Sequence, residues 1–138
     1  SDFFHWVLVD LPADITAIAA GEWNTGIVAR GKPGPTALYN ARHGINDYTS
    51  WFGIDPDMAG DYYGYDGPCP PWNDLIVHRY VFTLYALDIA KIAVEERFTG
   101  QQVRDAIAGH ILAEEKITGI YTLNPALTKP CYGEIKGT

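Results

Sequence analysis

Two stretches of the chain alternate with the period of a β-strand. Residues 3–10 read FFHWVLVD, which sets His5, Val7 and Val9 on one face and Trp6, Leu8 and Asp10 on the other. Both faces are mostly apolar, so a central strand is expected there. His78 to Leu87 reads HRYVFTLYAL, the clearest strand in the sequence, with His78, Tyr80, Phe82 and Leu84 sharing a face. Helical spacing follows later. Thr99 reads as an N-cap with Gln102 three residues on, and Val103, Ala106, Ile107, His110, Ile111 and Glu114 recur at helical intervals. This predicts a helix from Thr99 to about Lys116, closed by Gly119, and a short final strand from Ile120 to Leu123. A tail follows from Asn124.

The intervening segments carry less pattern. Pro12 to Thr16 reads as a turn or a short helix start. Gly21 to Tyr65 is glycine-rich and irregular, with short strands expected at Gly26–Arg30 and Ala37–Ala41. A stretch this long without regular structure is usually functional. Tyr65 to Pro71 reads YDGPCPP, and its prolines exclude a central strand and predict a rigid loop.

Composition narrows the class. The 138 residues are 47% apolar and 20% charged, which fits one folded domain, placed at residues 1–123 with a tail over 124–138. Nine prolines, fourteen glycines and 13% aromatic residues favour a mostly-β chain over a helical bundle. A net charge of −7 disfavours nucleic acid as a partner but leaves room for a local anion site. No apolar run reaches the ~20 residues of a membrane span. The two cysteines, Cys69 and Cys131, fit one disulfide in an exported protein or two free thiols. Because the chain opens on Ser1 and meets a strand almost at once, its first segment is expected to be missing, and compartment stays open.

No nucleophile elbow, phosphate loop, zinc helix or dinucleotide fingerprint occurs, and no cofactor is called for. His5 and His78, with Tyr80 on the same face as His78, carry the remaining chemistry. Imidazole and phenol groups donate hydrogen bonds to anions. Converging at strand ends beside a proline-rich wall, they would form a small anion pocket. Taken singly, each histidine is more often a satisfied core or surface residue.

The stretch GPCPP, followed from Val77 by VHRYVFTLYALD, closely resembles the phosphatidylethanolamine-binding protein family, in its bacterial and archaeal YbhB/YbcL-like branch. HWVLVDLPAD, the NDY of Asn46 to Tyr48, GYDGP from Gly64, AIAGHILAE and TGIY agree in order, so the resemblance spans Phe3 to Tyr121. It implies a β-sandwich-like fold with a large central antiparallel sheet, a smaller second sheet and peripheral helices. It also implies an anion cavity built from His5, the backbone around Gly67 and Cys69, the wall of Pro70 and Pro71, and His78 and Tyr80. A small anion or phosphoryl headgroup would occupy it.

The family's Asp-Pro-Asp-Ala-Pro motif precedes its HW strand and has no counterpart before His5. Asp55-Pro56-Asp57 reads instead as a turn. A missing wall of this kind predicts association with an N-terminal segment or a homo-oligomer. His110 reads as structural, bonded to a backbone carbonyl, and His43 as solvated. Trp23, Trp51 and Trp72 would rim a groove or pack in the core. Three functions follow: a non-enzymatic anion-binding module, a small hydrolase or lyase with His5 or His78 as general base, or a kinase or protease regulator acting through its loops.

Overall fold

The computed structural model describes residues 2–24, 26 and 28–127. The regular elements are β1 (Leu8–Val9), β2 (Arg42–His43), α1 (Tyr48–Trp51), β3 (His78–Leu87), α2 (Gly100–Ile107) and β4 (Ile111–Tyr121), with a 3-10 turn at Leu38–Asn40. The fold is mostly β. Its strands form two two-stranded antiparallel sheets, β1 with β2 and β3 with β4. Isolated bridges join Lys32 to Tyr62, and Ile45 to both Tyr63 and Thr99. The chain divides into two units: residues 1–67 with 87–112, and residues 68–86 with 113–138.

The first unit holds the apolar core. Val7, Val9, Ile45, Ile92 and Ile107 are buried, and Tyr62 and Phe98 are fully so. Of residues 3–10 only Val7 and Val9 are buried, and only Leu8 and Val9 pair as strand, in register with His43 and Arg42, so the expected central strand is a two-residue strand of a two-stranded sheet. Asp10 ends that strand in the left-handed region at φ 62°. Its buried carboxylate accepts from Arg42 Nε at 2.6 Å and from the Ile92 backbone at 2.8 Å. Arg42 in turn donates to the carbonyls of Ile92 and Val94. One buried carboxylate therefore ties β1, β2 and the 92–94 loop together, with the arginine supplying a fixed fork of donors.

Several expectations hold. Pro12 begins a turn, with its carbonyl accepting from Ile15 N at 3.1 Å. Asp55 Oδ1 accepts from Asp57 N at 2.9 Å, so the Asp-Pro-Asp run is an Asx turn. The ten-residue β3 spans His78 to Leu87, as predicted. Thr99 and Gln102 complete a capping box, each side chain accepting from the other's backbone N–H.

Others are corrected. The late helix stops at Ile107, and Ile111–Tyr121 is the strand β4 rather than helix. Gly109 causes this, adopting φ 83° where the helix would need a right-handed residue. The helix end thus lies at Gly109, not Gly119, and of the expected strand at 120–123 only Ile120 and Tyr121 are strand, as the last residues of β4. No strand forms among the described residues of Gly26–Arg30. Ala37–Ala41 holds a 3-10 turn instead, because Tyr39 and Asn40 take left-handed backbone at φ 61°.

His110 therefore leaves the helix. It sits in the turn before β4, with Nδ1 2.8 Å from Asp88 Oδ1. Its ring partner is a carboxylate rather than the backbone carbonyl expected. Asn124, where the tail was expected, is buried and bonded, its amide donating to the Asp74 carbonyl at 2.9 Å. Of the tryptophans, Trp23 is buried, while Trp51 and Trp72 are each 71% exposed. Cys131 lies outside the described residues, so its pairing with Cys69 does too; Cys69 itself is exposed.

Candidate functional site

The candidate residues are shared between the two units: His5 and Gly67 in the first, and Cys69, Pro70, Pro71, His78 and Tyr80 in the second. The two sets are built differently.

In the first unit, His5 is pinned by backbone. Its Nδ1 lies 2.9 Å from the Asp66 carbonyl, and Asp66 N donates back to the His5 carbonyl at 3.0 Å. A carbonyl only accepts, so Nδ1 carries the proton and Nε2 is the ring's second hydrogen-bonding atom. Phe3 and Tyr48 pack on the imidazole, with ring centroids 4.8 and 5.5 Å away. Tyr48 also reaches Gly67, its hydroxyl donating to that carbonyl at 3.2 Å. Thus Gly67 and His5 share one neighbour.

Beneath His5 lies a buried polar cluster that the sequence did not reveal. Lys32, Asn46 and Asp66 are at most 6% exposed. Lys32 Nζ is 3.0 Å from Asp66 Oδ1, out of hydrogen-bond alignment, and donates to the Tyr65 carbonyl. Asn46 donates to Asp66 Oδ2 at 2.7 Å and to the Gly64 carbonyl at 3.1 Å. The NDY segment is a clamp: Asn46 holds the GYDGP loop, Asp47 exchanges backbone and side-chain bonds with Phe4, and Tyr48 packs on His5. Buried polar groups so paired fix a unique arrangement, here that of the Asp66 backbone.

His43 is a correction. It is not solvated: it stands in β2 against Trp23 and Trp6, with ring centroids 5.3 and 6.5 Å away. Burial, aided by nearby Lys32, lowers its pKa to about 4, so it is neutral at pH 7.

In the second unit, Pro70 is buried while Cys69 and Pro71 are exposed. The Pro71 carbonyl accepts from Asp74 N at 3.1 Å, closing a turn. His78 opens β3 half-buried, and Tyr80 follows on the same face, also half-buried. The His78 ring is held by Asp74, Nε2 to Oδ2 at 2.6 Å. Asp74 Oδ1 also accepts from Ile76 N at 3.1 Å. The imidazole, then that amide, holds the Asp74 carboxyl below the usual carboxylate range. Asp74 stands four residues before His78, a spacing visible in the sequence.

An open cleft of about 470 Å³ lies elsewhere in the first unit, lined by Asp2, Phe4, Asp47, Thr99, Gln101 and Arg104. The Arg104 guanidinium is already engaged there by Asp2 and by the Phe4 ring. Among the described residues no cluster of three His, Cys, Asp or Glu side chains fits a metal ion, and no helix is long and apolar enough to cross a membrane.

The NDY segment, the GPCPP loop and the HRY strand are the stretches in which the sequence resembles proteins of the phosphatidylethanolamine-binding class. The sequence profile of the phosphatidylethanolamine-binding protein family matches residues 1–122, and the chain belongs to that family. Within it the chain groups with the YbhB/YbcL-like branch. It is 34% identical to the UPF0098 protein YbhB of Escherichia coli over 122 residues, which cover 88% of this chain and 63% of that protein. A UPF0098 protein of Methanothermobacter thermautotrophicus is 32% identical, with 85% of this chain and 61% of that protein covered. The crystal structure of Escherichia coli YbcL, described as a new member of the mammalian PEBP family, superposes with a TM-score of 0.61 at 28% identity. That match covers 87% of this chain and 61% of YbcL. The chain thus spans less than two thirds of the length of these relatives.

Proposed function

We propose that this chain is a binding protein for a small anion of phosphoryl type, with His5, His78 and Tyr80 as its donors. The backbone around Gly67 and Cys69 and the rigid Pro70–Pro71 pair complete the set. One observation carries the reading: His5 is a histidine whose protonated nitrogen is fixed by the Asp66 carbonyl and whose ring is braced by Phe3 and Tyr48. An imidazole oriented in advance loses little freedom when it meets a ligand. When protonated it offers a charge-assisted bond, the strong kind. Membership of a family named for binding phosphatidylethanolamine supports the same ligand chemistry.

The test is calorimetry with inorganic phosphate and with phosphoethanolamine on wild type, His5→Ala and His78→Ala. Binding in the wild type that weakens at least tenfold in each variant supports the assignment. Equal affinities across the three proteins would sink it. Turnover of phosphate or carboxylate esters that disappears in His78→Ala would replace binding by general-base catalysis.

A further inference from the structure

The second unit contains a contact that bears on how an anion reaches His78. Asp74 lies in the turn that Pro71 begins, four residues before the histidine, and its Oδ2 meets His78 Nε2 at 2.6 Å. The two side chains keep 27% and 35% of their surface, so solutes can reach the pair. The turn is anchored on its other side, because the Asp74 carbonyl accepts from Asn124 and Oδ1 accepts from Ile76 N. The carboxylate is therefore presented to the ring by a fixed backbone rather than by a wandering side chain.

We propose that Asp74 is a built-in competitor: its carboxylate occupies the His78 nitrogen that an incoming phosphoryl oxygen would use, and so sets the affinity of the site. This rests on the anion-binding reading above. A carboxylate and a phosphoryl oxygen are both anionic acceptors, and one N–H serves one of them well. An external anion must displace Asp74 and also meet its negative charge at close range, where screening is weak. The contact thus disfavours polyanions more than monoanions, which makes Asp74 a specificity-determining residue.

The variant is Asp74→Asn. The amide keeps an oxygen for Ile76 N and the same shape, so the turn stays, but the charge and the strong bond to His78 go. Replacing a charge-assisted bond by a neutral one predicts phosphate binding tighter by about tenfold. Acetate, a monoanion, gains less. The gain is smaller in the double variant Asp74→Asn with His78→Ala, where only the charge repulsion is relieved. Calorimetry reads the affinities, and the ¹³C carboxyl resonance of Asp74 in the wild type reads displacement directly, moving as phosphate is added. Unchanged or weaker phosphate binding in Asp74→Asn, with wild-type binding intact and His78-dependent, overturns the competitor and spares the anion site. In that outcome Asp74 merely orients the ring. An equal gain with and without His78 also overturns it. Failure of phosphate to bind both wild type and Asp74→Asn overturns the anion-binding reading, and the competitor with it.

Discussion

The buried pair Lys32–Asp66 gives the sharpest test of the fold beneath His5. Their side chains are 5% and 2% exposed and their charged atoms 3.0 Å apart. Lys32→Met keeps the length of the stem and deletes the ammonium. It leaves the Asp66 carboxylate buried, with Asn46 as its remaining side-chain donor. Breaking a buried ion pair on one side costs about 3–5 kcal/mol, mostly the desolvation of the stranded charge. That is a large part of the 5–15 kcal/mol that holds a typical domain together. At roughly 3–4 °C per kcal/mol for a chain of this size, the thermal midpoint falls by about 10–20 °C. Asp66→Leu alone strands the ammonium and should cost about as much. The double variant Lys32→Met with Asp66→Leu removes both charges and should lose far less than the sum, because paired burial offsets little more than its own desolvation. Urea unfolding of the four proteins reads this cycle. A loss below about 1 kcal/mol in Lys32→Met, or strict additivity in the double variant, would refute the argument, since either means that water already solvates the pair.

Three further outcomes follow from other residues. His43 has its pKa lowered from 6.5 to about 4 by burial, so the unfolded chain takes up a proton that the folded chain refuses. Its contribution to stability is full above pH 6.5 and declines as pH falls towards 4; His43→Phe should flatten that part of the stability–pH curve relative to wild type. Thr99→Ala removes the acceptor of the Gln102 N–H and should cost about 1 kcal/mol, seen as faster amide exchange in the first turn of α2. Gly109→Ala meets no atom within 4 Å but forces a side chain to φ 83°, so a loss of about 1 kcal/mol in chemical unfolding is expected from backbone strain alone.

What the sequence discloses follows from how local each signal is. β3 was legible because ten residues alternate without a breaker, and the start of α2 because Thr99 and Gln102 cap each other across three residues. The end of α2 was not. Ile107 and Ile111 stand four apart and continue the helical stripe, while a single glycine inside such a stripe is ambiguous. Only the left-handed backbone of Gly109 turns Ile111 and its successors into a strand. His43 looked solvated beside Arg42 and Gly44, yet its burial comes from Trp6 and Trp23, which sequence spacing does not bring near. Lys32 and Asp66 are likewise joined by the fold alone. Asp74 is local yet ambiguous: a charge four residues from a histidine suggests a helical pair, whereas here a turn entering a strand makes the contact.

The two candidate histidines are held by opposite means, and this decides how each can be tuned. His5 is held by the carbonyl of Asp66, an uncharged acceptor that no side-chain substitution removes. Its orientation depends on where the Asp66 backbone lies, and that backbone is fixed by the buried bonds of Asp66 to Asn46 and Lys32. Stability of the first unit and orientation of His5 are therefore one property, and Lys32→Met should loosen the imidazole as it destabilises the fold. His78 is held by a carboxylate on a solvent-reachable turn, so changing one oxygen of Asp74 to nitrogen alters its bonding without entering the core. A variant that weakens anion binding through His5 should lose stability with it. One that acts through Asp74 should change affinity at constant thermal midpoint, and measuring both quantities on the same two variants, Lys32→Met and Asp74→Asn, separates the two mechanisms.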